Sequence, residues 1–272
     1  MLNVALQKNE FDLLVALIYD ISRIHLDETK VNLVQSRLAD LLEKYHFVNY
    51  MALYQEAKIN EKLSTELIDR ITTNETSFFR DSKVFESLLK HIFETYLDQS
   101  NRLQIWSAAC ATGQEPYTLA MMLKELIYNL SKFRLQIICT DISSDALRQA
   151  ARGTYTAHEI HRGLDNKRIT CYFDKQKDGL YKIKDELRSL VHFQNRNLIT
   201  PNTLHNKFQI VLCRNVAIYF DTKTKQQIFE NIANMMAPEG ILIIGSSEML
   251  IGISERFERR EWNNIAYYQL KG

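Results

Sequence analysis

From residue 103 onward, short apolar runs alternate with longer stretches of helical periodicity, and this alternation restricts the fold more than any other feature of the chain. Residues 103–108, 135–140, 208–213, 241–244 and 266–270 read as strands. Residues 116–130, 144–152 and 222–236 read as helices. A parallel neighbour can be reached only by crossing a face of the sheet, so strands separated by helices imply a mostly parallel sheet with right-handed crossovers. Residues 179–184 and 190–194 instead alternate apolar and polar side chains. They are expected as antiparallel strands of a small β-subdomain at about residues 170–195.

The first seventy residues are of a different kind. They contain neither proline nor glycine, and Val31, Val34, Leu38, Leu41 and Tyr45 recur on one helical face, with Asp27 placed to cap that helix. The expected organisation is a helical domain at residues 1–70, a linker and connecting helix at 71–100, and an α/β domain at 101–272. Hydrophobic residues make up 46% and charged residues 25%, enough to bury a core in water. The net charge of +1 gives no overall field toward nucleic acid. The apolar run at residues 13–19 is too short to span a bilayer, and Lys8, Glu10 and Asp12 interrupt any leader-like segment, so a cytoplasmic protein without membrane insertion is expected. Cys110, Cys139, Cys171 and Cys213 lie far apart and are expected as buried, reduced thiols. His158 and His161 are three apart rather than four, so no metal site is expected there.

Open α/β sheets bind ligands beyond the carboxyl ends of their strands. After the first strand comes Ala108-Ala-Cys-Ala-Thr-Gly-Gln-Glu-Pro-Tyr117, where small residues admit a ligand to the backbone and Gly113 can take a positive φ. Pro116 suits the first turn of the next helix, whose free N–H groups favour an anion. Taken alone, this segment is equally an ordinary tight turn. Asp141 ends the second strand and is placed to accept bonds from ribose hydroxyls or to cap the next helix. Arg214, Asn215 and Tyr219 follow a later strand, as ligand contacts or as a polar strand exit with an aromatic anchor.

These segments together resemble the CheR family of chemotaxis receptor methyltransferases. The resemblance rests on Asn74-Glu-Thr-Ser-Phe-Phe-Arg80, Trp106-Ser-Ala-Ala-Cys-Ala-Thr-Gly-Gln-Glu-Pro-Tyr117, Thr140-Asp-Ile-Ser143, Arg196-Asn-Leu198, Cys213-Arg-Asn-Val-Ala-Ile-Tyr-Phe220 and Gly245-Ser-Ser-Glu248. It implies a Rossmann-like class I domain that binds S-adenosylmethionine (SAM), behind a helical N-terminal domain and with a small antiparallel insertion. It implies methyl transfer from SAM to glutamate side chains on the cytoplasmic helices of chemoreceptors, leaving S-adenosylhomocysteine. Cofactor contacts would fall on Asn74, Thr76, Arg80, Glu115, Asp141, Asn197, Leu198, Asn215 and Val216. Arg80 and Tyr219 would sit at the reacting methyl, Asn197 and Leu198 near adenine.

The chemistry needs no general base, because a glutamate carboxylate is already ionised at neutral pH. The absence of a Ser/His/Asp or Cys/His set is therefore no objection. Lys30, Arg37 and Lys44, spaced by seven, share one face of the second helix and are candidates for receptor docking, or else a solvated edge beside the buried seam. Residues 1–70 nevertheless hold eight Lys or Arg against eleven Asp or Glu. The loop at 174–179 lacks the glycine-containing extension of receptor-tethered relatives, so independence from a receptor's C-terminal tether peptide is expected. Two other readings stay open: a methyltransferase of this fold with another acceptor, and a SAM-binding module without turnover.

Overall fold

The computed structural model describes residues 4–200 and 207–272. Ten strands are present among them: β1 (Arg102–Ala108), β2 (Arg134–Asp141), β3 (Thr154–Tyr155), β4 (Phe173–Lys175), β5 (Tyr181–Ile183), β6 (Val191–Asn195), β7 (Phe208–Cys213), β8 (Met236–Ile244), β9 (Phe257–Trp262) and β10 (Ile265–Leu270). Seven form the main sheet in the order β6-β2-β1-β7-β8-β10-β9. The first five of these run parallel, and β10 and β9 close the sheet antiparallel. Every residue of β1 except Arg102 is buried. Leu103 and Ile105 face a core shared with Phe93, Tyr117 and Met121, whereas Trp106 and Ala108 face Ile228, Phe229 and Ile232. This two-sided burial is why the strand reads as a near-continuous apolar run. From β1 the chain moves outward to β2 on one side and later returns to β7 on the other. The order reverses between β1 and β7, and a crevice opens there at the carboxyl ends of the strands.

Ahead of the sheet, helices Lys8–Ser22, Val31–Tyr45, Tyr50–Ala57 and Glu61–Ile71 enclose their own core of Leu14, Ile18, Val34, Leu38, Leu41, Leu53 and Leu67. Val31 and Tyr45 close the expected seam only as half-buried edges. Asp27 does cap, but it caps a short 3-10 turn, Glu28–Lys30, that leads into the second helix. Residues 1–3 of the expected helical segment lie outside the described residues. The link at 71–80 enters a π-helical stretch, Val84–Leu89, that continues as the helix Lys90–Gln99. No helix among the described residues is long and apolar enough to cross a membrane.

The expected β-subdomain at 170–195 needs correction. The small sheet has the order β3-β5-β4, is antiparallel, and begins upstream at Thr154. Residues 190–194 are not part of it. β6 pairs in parallel with β2 from Ile137↔Val191 to Asp141↔Asn195 and forms the edge of the main sheet. Alternation marks a half-exposed strand but carries no direction, so an edge strand of a parallel sheet looks the same as a strand of a hairpin. β9 was not expected at all. It buries only Phe257, and the charged run Glu258–Glu261 masks its period. The helix expected at 116–130 starts two residues earlier, at Gln114, and stops at Leu126. Of the four cysteines, Cys110, Cys139 and Cys213 are buried, with thiol pKa values pushed up by that burial, but Cys171 is exposed.

Candidate functional site

The crevice is a cleft of about 310 Å³. The ends of four neighbouring strands supply one wall: Ala109 to Ala111 after β1, Asp141 and Ile142 after β2, Arg196 to Leu198 after β6, and Arg214 to Val216 after β7. The opposite wall comes from the linker, through Ile71 to Thr76 and Arg80, and from the helical segment, through Ser22, Ile24 to Leu26, Lys30, Leu33 and Arg37. Backbone strain gathers here. Ala109, Ala111 and Asn215 on one wall, and Phe79 and Asp81 beside Arg80, all have positive φ. For non-glycine residues such conformations cost about 1–3 kcal/mol each and persist only where the surroundings hold them. Gly113 has φ +94 and lies so near Ala150 that a Cβ there would stand 2.9 Å from the alanine Cβ. The turn between β1 and the next helix therefore requires glycine.

Asp141 is buried at the end of β2. One carboxylate oxygen accepts from the Ala111 N–H and the other from the Ser143 N–H, both at 2.9 Å. Burial raises its pKa, and the backbone donors oppose that rise. Each oxygen keeps a further lone pair for a hydroxyl donor in the cleft. Glu115, in the first turn of the helix Gln114–Leu126, accepts from Ser107 Oγ at 2.8 Å and from Arg214 at 3.0 Å. Arg214 is the most confined charge of the site. Its side chain is 2% exposed and pairs with both Glu115 and Asp81, the latter at 2.6 Å. It also donates to the Arg80 carbonyl at 2.9 Å.

Because Asp81 is taken by Arg214, Arg80 has no acidic partner among the described residues. Its guanidinium donates to the Glu75 carbonyl at 2.9 Å and lines the cleft. Tyr219 lines the same cleft from a 3-10 turn, Ala217–Tyr219, and its carbonyl accepts from the His25 N–H at 3.0 Å. The Asn74 amide reaches Thr72 Oγ1 and Ser143 Oγ only at 3.5 Å, which leaves it largely unengaged. Thr76 stands beside it in the cleft. Asn197 is engaged at both ends of its amide. Nδ2 donates to the Ile21 carbonyl at 2.8 Å, and Oδ1 accepts from the Ile199 N–H at 3.2 Å. A nucleobase would therefore meet its backbone rather than its side chain. Leu198 and Val216 are half-buried against the sheet core and give the cleft an apolar stretch. The Asn215 N–H donates to Glu248 at 2.8 Å, which ties the strained turn to the Gly245-Ser-Ser-Glu248 segment.

The nine expected cofactor contacts and Tyr219 thus all line one cleft. The basic stripe fares differently. Lys30 lines the cleft, and no ion pair involves it among the described residues. The Arg37 guanidinium donates to the carbonyls of Ile71 and Thr72 and to Thr73 Oγ1, so it fastens the second helix to the linker instead of offering a free charge. Lys44 does not line the cleft and pairs with Glu66 at 2.6 Å. Spacing by seven does not keep three charges free when acids and carbonyls on neighbouring elements claim two of them, and Lys30 itself lies in the 3-10 turn ahead of the helix. The sequence reading gave no role to Ser107, nor to the cleft-lining residues between Ser22 and Leu26. Arg214 was visible as a polar strand exit, but nothing in the sequence paired it with acids 133 and 99 residues away.

The wall residues suit SAM. Asp141 offers acceptor lone pairs for ribose hydroxyls, Ile142, Leu198 and Val216 are apolar enough for a nucleobase, and Ala109 to Ala111 let a ligand approach the backbone. Comparison with known proteins gives the same answer. Residues 74–265 match the CheR methyltransferase SAM-binding domain, and residues 9–72 match the CheR methyltransferase all-alpha domain. A chemotaxis protein methyltransferase of Pseudomonas putida is 36% identical over 255 residues, covering 91% of this chain and 93% of the relative. One of Borreliella burgdorferi is 36% identical over 261 residues, covering 92% of each chain. One of Pseudomonas aeruginosa is 34% identical over 268 residues, covering 96% of this chain and 98% of the relative.

Proposed function

The chain belongs to the CheR family of SAM-dependent chemotaxis methyltransferases, and we propose that its acceptors are glutamate side chains on the cytoplasmic helices of chemoreceptors. The observation that carries this reading is the pairing of Arg80 and Tyr219 on one cleft, the first without an acidic partner and the second with its hydroxyl unengaged among the described residues. Bound SAM supplies an electrophilic methyl on a sulfonium. Arg80 orients the acceptor carboxylate through its planar fork. Tyr219 donates from its hydroxyl beside the same carboxylate and helps to hold it in line. Positioning is the main task, since the nucleophile arrives ionised. Asp141 and Asn74 hold the cofactor end, Thr76 and Glu115 line it, and the strained Ala109–Ala111 turn keeps the backbone close to it.

The enzyme works in the cytoplasm, where those receptor helices are found. Its short hairpin loop between β4 and β5 gives a receptor tail little to hold, so methylation does not depend on a C-terminal tether. Of the basic stripe, only Lys30 remains as a receptor contact, at the mouth of the cleft. The test is incubation of the protein with SAM and receptor-bearing membranes, followed by mass spectrometry of receptor peptides. Methyl esters on glutamates of receptor helices, formed as fast without the receptor tail as with it, are expected. Methyl groups found only on another acceptor, or no transfer, would overturn the assignment of substrate. Slowing on tail removal alone would overturn tether independence.

A further inference from the structure

The first helix belongs to the helical N-terminal segment, yet its end reaches across to the turn that carries Tyr219. The helix Lys8–Ser22 stops at Arg23, which takes a left-handed conformation with φ 59 and turns the chain toward the cleft. Three hydrogen bonds then join this end to the cleft wall. The Tyr19 hydroxyl donates to Asp221 Oδ2 at 2.6 Å. The His25 N–H donates to the Tyr219 carbonyl at 3.0 Å. Asn197 Nδ2 donates to the Ile21 carbonyl at 2.8 Å. The first two fasten the C-terminal end of the Tyr219 turn, one at its last residue and one two residues beyond it.

We infer that Tyr19 is a positioning residue for methyl transfer: its hydrogen bond to Asp221 fixes the turn that aims Tyr219 into the cleft. Asp221 suits the task because its two oxygens have separate partners. Oδ1 caps the helix Thr222–Met235 by accepting from the Thr224 N–H at 2.8 Å, and Oδ2 takes the Tyr19 phenol. The phenol is the leading cause that lowers the Asp221 pKa to about 2, so the acceptor stays ionised throughout the physiological range. The Arg23 guanidinium lies over the Tyr19 ring, 5.0 Å from its centroid. A single residue separates Asp221 from Tyr219, and that residue, Phe220, is half-buried against the sheet core. A shift at Asp221 therefore reaches Tyr219 with little slack. The helical segment on this account contributes to turnover as well as to any docking, and neither Tyr19 nor Asp221 touches the reacting atoms.

The inference rests on the proposed role of Tyr219, and its test separates the two. Tyr19→Phe keeps the ring and its packing and removes only the hydroxyl. Asp221→Ser keeps a helix-capping oxygen but is too short to reach Tyr19. Both variants are assayed for turnover with labelled SAM and receptor-bearing membranes, for SAM affinity by calorimetry, and for thermal melting. Each is expected to lower kcat roughly tenfold, because misplacing a reacting group by a fraction of an ångström suffices for that, while SAM affinity stays within about twofold. The deciding measurement is a double-mutant cycle with Tyr219→Phe. If Tyr19 acts through the Tyr219 hydroxyl, adding Tyr19→Phe to Tyr219→Phe lowers kcat by less than about twofold further. Losses that multiply in the double variant would overturn the inference, because Tyr19 would then act on the fold at large. Wild-type turnover in Tyr19→Phe beside a slow Tyr219→Phe would overturn it and leave the role of Tyr219 standing. Wild-type turnover in Tyr219→Phe would remove both.

Discussion

The strand-end cleft and the basic stripe of the second helix were both legible as patterns, and they came out differently. In the cleft, residues from Ala109 to Val216 meet because four parallel strands end side by side, and the linker brings Asn74, Thr76 and Arg80 against them. The topology itself does the gathering. On the stripe, Lys30, Arg37 and Lys44 are related by spacing alone, Lys30 in the 3-10 turn ahead of the second helix and the other two on it, and the neighbouring elements decide what each one does. Arg37 turns to the carbonyls of Ile71 and Thr72, and Lys44 turns to Glu66. Convergence set by a sheet survives folding, whereas convergence set by helical period holds only until a partner intervenes. The same contrast separates Arg80 from Asp81. They are adjacent in sequence, yet one faces the cleft and the other is bound by a buried arginine.

Substitutions in the two regions put this contrast to the test. The largest expected effect is on the cleft side. Arg80→Ala should lower kcat roughly a hundredfold, with a smaller loss of SAM affinity, as expected when in-line positioning is lost. Single-turnover kinetics alongside SAM titration check this, and equal losses in both would make Arg80 chiefly a cofactor contact. Next comes Asp141→Ala, which should weaken SAM binding by roughly 1.5–3 kcal/mol through loss of charge-assisted hydrogen bonds. Calorimetry on a variant shown to be folded is the measurement, and unchanged affinity would remove Asp141 from the site.

Asp141 also gives a pH dependence with a definite sign. Burial raises its pKa above the ordinary value of 3.8. SAM affinity should therefore weaken as pH falls, starting above the range in which an exposed aspartate titrates. In the cofactor-free protein the sign is opposite. A carboxyl with a raised native pKa adds stability below its unfolded pKa of roughly 3.9, and that stability is lost as pH rises through the native value. Asp141→Asn should flatten the pH dependence of binding.

Smaller effects are expected on the stripe. Arg37→Ala should lower stability by about 1–2 kcal/mol, since it leaves linker carbonyls without their donor. Denaturant titration checks this. Lys30→Glu should slow methylation at limiting acceptor, because Lys30 alone of the three lines the cleft with its side chain in neither an ion pair nor a hydrogen bond among the described residues. Lys44→Ala should change stability by less than about 0.5 kcal/mol, as for an exposed pair. A slowing by Lys44→Glu equal to that by Lys30→Glu would restore the stripe as one docking surface.

The sequence showed the division into helical and α/β parts and the strand-end motifs, because burial on both faces and short motifs at strand exits leave local marks. Val191–Asn195 was placed in the wrong sheet because its alternation is silent about partner and direction. Phe257–Trp262 was missed because five of its six residues face solvent. The Arg214 network was hidden for a different reason. Its partners Asp81 and Glu115 are brought to it only by the linker and by the turn at Gly113, and no local pattern encodes an ion pair between distant segments. The cross-link from Tyr19 to Asp221 spans 202 positions and was equally invisible.

The cleft between the strand ends and the linker is proposed as the methyl-transfer site, with Asp141 at the cofactor's ribose and Arg80 and Tyr219 at the reacting methyl. A crystal structure with S-adenosylhomocysteine tests it most directly. The expected structure has the ribose hydroxyls bonded to the Asp141 carboxylate, adenine against Leu198 and Val216, and the sulfur facing the space between Arg80 and Tyr219. A ligand bound elsewhere, or one whose sulfur points away from Arg80 and Tyr219, would contradict it.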